Sequence, residues 1–96
     1  MTISWHSKAV EDLSENMRYI AEKSPQNALH VLKTITTLCD SLGHMPYKYP
    51  KEPVYNAERI RFVAQWNFKI IYRVEGEEIY ILRIFNTRQK PSDIFE

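Results

Sequence analysis

The sequence is poor in everything that builds covalently stapled or metal-held folds. Cys39 is its single cysteine, so no disulfide can close within the chain, and a reducing compartment is the simpler setting. Two glycines, Gly43 and Gly76, among 96 residues leave few places for special turns and imply well-formed elements. The histidines His6, His30 and His44 are scattered, and none has a second His or Cys at a metal-ligand spacing, so no metal is expected. No GxSxG, P-loop or GxGxxG is present, and no cofactor is expected. No apolar run approaches the roughly 20 residues that cross a bilayer. The opening MTISWHSKAVEDL lacks the basic and apolar regions of a secretory signal. The expectation is a cytoplasmic protein with no membrane partner.

With 44% hydrophobic and 26% charged residues, the chain reads as a single globular domain over 1–96. Ile3-Ser4-Trp5-His6 alternates like a short strand. Ser7 is a fair N-cap for a first helix over about 8–23, marked by Ala9, Leu13, Met17, Ile20 and Ala21, with Glu11 and Asp12 near its positive end. Ser24-Pro25 ends that helix and starts another, because proline disfavours helical geometry before it and suits a first turn. The stripe Ala28, Val31, Leu32, Ile35, Leu38, Cys39 and Leu42 carries the second helix from about 25 to 42, and Gly43 is expected as its left-handed cap. Pro46, Pro50 and Pro53 stiffen a crossover loop that also holds Tyr47 and Tyr49.

From residue 57 the period changes to two. Arg59 to Gln65, Phe68 to Glu75 and Glu78 to Phe85 read as strands. Glu75-Gly76-Glu77 makes the second hairpin turn, and the first lies near Gln65-Trp66-Asn67. The fold class that follows is α+β, a helical hairpin packed on one face of a small antiparallel sheet. Phe68, Ile70, Tyr72 and Val74 should meet the helices, leaving Lys69 and Arg73 on the open face. By simple alternation Arg83 shares a face with Ile81 and Phe85, opposite Tyr80, Leu82 and Ile84.

The charge is lopsided. Between 59 and 90, Arg59, Arg61, Lys69, Arg73, Arg83, Arg88 and Lys90 face only Glu75, Glu77 and Glu78, a net of +4 against +1 for the chain. Arg61, Lys69, Arg73, Arg83 and Arg88 are therefore the candidates for contact with phosphate or an acidic protein surface. The plainer alternative for each is a solvated strand residue, with Glu58 and Glu78 as partners. Arg88, just past the last strand, pairs on that alternative with Asp93. Cys39, on the helical stripe with no base beside it, reads as a small buried hydrophobe, not a nucleophile. The glutamates at the turn read as solvated. No catalytic residue is identified.

The pattern Trp5-x-x-x-Ala9-x-x-Asp12-Leu13, Tyr19-Ile20, Ser24-Pro25-x-x-Ala28, Ile60-Arg61, the strand Phe68 to Val74 and the ending Ile79 to Gln89-x-Pro91 resembles the RelE/ParE superfamily of type II toxin–antitoxin toxins. The resemblance covers residues 3–94 and implies the same helical hairpin on a sheet, and a cognate antitoxin as partner. It implies one of two activities. RelE-like members cleave mRNA on the ribosome with basic residues and a C-terminal acid–base group, without metal; ParE-like members poison DNA gyrase. Lys69 resembles a phosphate-clamping residue and Arg88 the arginine after the last strand. Phe95, standing where a catalytic Tyr is expected, cannot donate a proton. The ParE-like reading is therefore preferred, a gyrase-directed toxin that is not an enzyme. Upstream tyrosines (Tyr47, Tyr49, Tyr55, Tyr72, Tyr80) keep the endoribonuclease open, and a decayed, non-toxic antitoxin binder is a third possibility.

Overall fold

The computed structural model describes residues 1–87. Its elements run β1 (Thr2–Trp5), α1 (Ser7–Lys23), α2 (Pro25–Ser41), β2 (Ile60–Gln65), β3 (Phe68–Glu75) and β4 (Glu78–Asn86). The two helices are joined by Ser24 alone, which is extended and whose hydroxyl accepts from the Asn27 amide at 3.2 Å. That single residue makes the helices antiparallel neighbours.

Two caps differ from the sequence expectation. The N-cap of α1 is His6, whose Nδ1 accepts from Lys8 N at 3.1 Å, and Ser7 is already helical. Gly43 does not take a left-handed conformation; Gly76 is the glycine with positive φ. A Cβ on Gly43 would stand at ordinary contact distance, 3.4 Å from the Met1 carbonyl oxygen and 3.8 Å from Ile3 Cδ1, so neither space nor backbone conformation demands glycine here.

The sheet order is β1-β4-β3-β2. β2, β3 and β4 form the expected antiparallel meander, and β1 pairs parallel with β4, which makes the sheet mixed. Phe68, Ile70, Tyr72 and Val74 are buried in the core cluster, as their alternation predicts, with Ala9, Leu13, Val31, Ile35 and Leu42 from the helices. A bulge changes the parity of β4: Ile70 pairs with Ile84 and Ile71 with Arg83, but Tyr72 pairs with Ile81. Ile79, Ile81 and Ile84 therefore all reach the core. Simple alternation had separated Ile84 from Ile81. No helix among the described residues is long and apolar enough to cross a membrane.

Candidate functional site

The cations do not converge on one open surface among the described residues. Lys69 and Arg73 share a face of β3, whereas Arg61 pairs with Tyr72 and so lies on the opposite, core-side face. Arg83 leans off the sheet toward α1. Arg88, Lys90, Asp93 and Phe95 lie outside the described residues.

Each described candidate meets a carboxylate of its own chain. Lys69 Nζ donates to Glu52 Oε1 at 2.6 Å, and Glu52 is fully buried. The other oxygen of Glu52 accepts from the amides of Val54 and Tyr55 at 2.7 and 2.8 Å. A carboxylate can be buried only when so completely satisfied. Arg83 grips Asp12 with Nε and Nη2 at 2.8 and 2.9 Å. Asp12 Oδ2 also accepts from Ile84 N at 3.0 Å, replacing the strand that β1, ending at Trp5, does not supply. The bond to Asp12 is the main reason the Arg83 guanidinium is held more firmly charged than usual.

Arg61 donates to the Glu58 carbonyl and carboxylate and to the Tyr49 carbonyl, with its guanidinium 5.0 Å from the centre of the Tyr47 ring. It pins the proline-rich crossover. Arg73 is the least committed of the four. Its Nε is 3.3 Å from Glu75 Oε2 without hydrogen-bond geometry, and its side chain is 41% exposed.

The upstream tyrosines are occupied in part. Tyr72 is fully buried and donates its hydroxyl to the Pro46 carbonyl at 2.6 Å. Burial pushes its pKa up to about 12 against the opposing pull of Arg61, which disfavours proton release. Tyr80 donates to the Glu78 carboxylate, a bond that also raises its pKa. Cys39 is fully buried, and burial first, with Asp40 second, pushes its thiol up to about 12, the wrong direction for a nucleophile. No group of three or more His, Cys, Asp or Glu side chains suited to a metal occurs among the described residues.

Concave surfaces lie elsewhere among the described residues, and sequence reading did not anticipate the two described next. The larger, about 890 Å³, is an apolar groove along the helical hairpin, lined by Val10, Leu13, Met17, Ala28, Leu29 and Leu32 among others. Leu29 at its rim is 67% exposed. The sequence signal was available: Val10 and Leu29 are apolar residues at the edge of the helical stripes. The second cavity, about 410 Å³, lies between the helices and the β2–β3 turn; it is lined by Asn16, Tyr19, Asn27, His30, Trp66, Asn67 and Asn86 with Ile20, Val31 and Phe68 beneath.

An antiparallel helical hairpin on a small, mostly antiparallel sheet places the molecule in the RelE/ParE-like class of α+β folds. The chain belongs to the ParE toxin family of type II toxin–antitoxin systems, parDE, whose model matches residues 3–91. Among solved structures it is similar to a chain of the chromosomal ParDE TA system from P. aeruginosa, at 28% identity and a TM-score of 0.72, over 90% of this chain and 95% of that one. No match was found among proteins of curated function. Family membership implies an antitoxin partner.

Proposed function

We propose that this protein is the toxin of a ParDE-type pair, that it arrests growth in the cytoplasm by protein–protein contact with DNA gyrase, and that its antitoxin neutralises it. Stabilisation of the replicon that encodes the pair is the physiological outcome. The observation that carries the reading is the family match over residues 3–91. The geometry supports it in two ways. The apolar groove of α1 and α2 has the shape and chemistry to seat the nonpolar face of an antitoxin helix. Arg61, Lys69, Arg83 and the phenols of Tyr72 and Tyr80 are bound to groups of the same chain, an arrangement suited to holding the fold and not to proton transfer. Of the candidate contacts, Arg73 is the described cation best placed to meet a target, and Arg88 stands on the sequence alone.

The test is a supercoiling assay with purified gyrase, with and without the antitoxin encoded beside this gene. Inhibition that the antitoxin relieves is the expected result. Intact supercoiling together with mRNA cleavage on translating ribosomes would overturn it in favour of a RelE-like nuclease.

A further inference from the structure

The cavity at the β2–β3 turn has a chemistry unlike the rest of the molecule. None of its lining residues is Asp, Glu, Lys or Arg. Its polar wall is a relay of side-chain amides: Asn67 Nδ2 donates to Asn86 Oδ1 at 3.2 Å, Asn86 Nδ2 approaches Asn16 Oδ1 at 3.5 Å, and Asn16 Nδ2 donates to the Asp12 carbonyl at 2.8 Å. The relay holds the amides in fixed orientation. At the rim stand the exposed rings of Tyr19 and Trp66, at 59% and 53% exposure, with His30 tilted against Trp66 at 5.8 Å.

Trp66 carries a second, independent signal. It occupies the left-handed region, φ 53, in a two-residue turn where glycine or asparagine is at ease and a bulky side chain is strained. Its exposure shows that core packing does not compensate for that strain. Strain kept at an exposed aromatic residue beside a preorganised polar wall is a mark of a contact site.

We propose that this cavity binds an extended, uncharged peptide segment of the toxin's protein target, with the asparagine amides meeting its main chain and Trp66 and Tyr19 clasping its side chains. The inference rests on the reading of the protein as a toxin that acts by protein contact. A peptide main chain offers alternating N–H and C=O groups, which carboxamides match and which need no counter-charge. Nucleic acid fits less well, because its affinity is carried by phosphate contacts, the lining holds no Lys or Arg, and the neighbouring Lys23 is engaged with the Tyr19 ring and hydroxyl. The cavity shares no lining residue with the apolar groove, so a substitution in the cavity leaves the surface proposed for the antitoxin helix unchanged.

The decisive variant is Trp66→Gly, which relieves the backbone strain while removing the ring. Asn27→Ala, on the exposed surface of α2, is the second and leaves the turn intact. A displayed library of random uncharged ten-residue peptides is selected on the full-length wild-type protein and counter-selected on each variant. The expected result is a set of binders weakened at least tenfold by both substitutions. In parallel, both variants should melt no lower than wild type, keep antitoxin affinity, and lose at least tenfold in growth arrest. Binders indifferent to Trp66 and Asn27, or no binders, would overturn the proposal. So would full toxicity of both variants, loss of antitoxin affinity alone, or Trp66-dependent binding of a single-stranded oligonucleotide. A wild-type protein that selects peptides at this cavity yet spares gyrase would overturn the choice of target and leave the site standing.

Discussion

On the sheet, Arg61, Lys69, Arg73 and Arg83 each stand beside a carboxylate of the same chain, whether Glu58, Glu52, Glu75 or Asp12. On the helical side, Val10, Leu29, Tyr19 and Trp66 stand exposed around two concavities. The region with the excess of positive charge is thus the one most occupied with its own architecture, and the two concavities beside the helices have surface to spare. Excess positive charge marks where cations are, but only their partners decide whether they can meet another molecule. A long side chain satisfied at 2.6–2.9 Å by a buried or half-buried carboxylate must break that bond before it reaches a phosphate.

The sharpest way to break the comparison is at Glu52. Glu52→Ala removes two amide partners and strands the Lys69 ammonium, and it should lower the unfolding free energy by about 4 kcal/mol in denaturant titrations. Lys69→Ala strands the buried carboxylate instead, so any loss of toxicity it causes must first be corrected for unfolded protein.

Next comes Asp12→Ala, expected to cost about 3 kcal/mol, since it removes the carboxylate that both the Arg83 guanidinium and the Ile84 amide bond to. A double-mutant cycle with Arg83→Ala should show strong coupling; additivity would mean the pair is not structural.

Tyr72→Phe should cost about 1 kcal/mol, by stranding the Pro46 carbonyl. The same residue predicts an alkaline limit. Cys39 and Tyr72 are both held protonated in the fold, with pKa values raised from 9.0 and 10.0 to about 12. Their contribution to stability is complete below those ordinary values and is lost as pH rises through about 12. Stability should therefore begin to fall near pH 9, and Cys39→Ala should delay that onset; an onset unchanged in that variant would remove the assignment.

The smallest effect is expected at Arg73→Ala, about 0.5 kcal/mol, because the side chain is half-exposed, its pairing with Glu75 is loose and its guanidinium loses only the Tyr80 ring 5.0 Å away. That makes it the clean probe of the sheet as a target surface. Lost toxicity with unchanged stability would place the sheet back among the contact surfaces.

The helix and strand limits were legible within one or two residues, because they follow from local rules. Apolar spacing of 3.6 and of 2, the proline after Ser24 and the Gly76 turn act over short distances. The core face of β3 was legible for the same reason. The faces of β4 were not, since a bulge near Ile81–Arg83 leaves no mark in the alternation. The left-handed cap expected at Gly43 is absent, because the chain leaves α2 there without a positive φ.

What the sequence determined by itself was the α+β class, the order of the elements and the family, all carried by patterns of neighbouring residues. What only the tertiary structure decided was the meaning of the charges. Lys69 meets Glu52 across 17 positions and Arg83 meets Asp12 across 71. No local pattern encodes which carboxylate a cation finds, because that depends on how the crossover and α1 are laid against the sheet. The uncharged cavity was hidden for the same reason: its asparagines come from α1, α2, a turn and a strand end, and become one surface only when the chain folds.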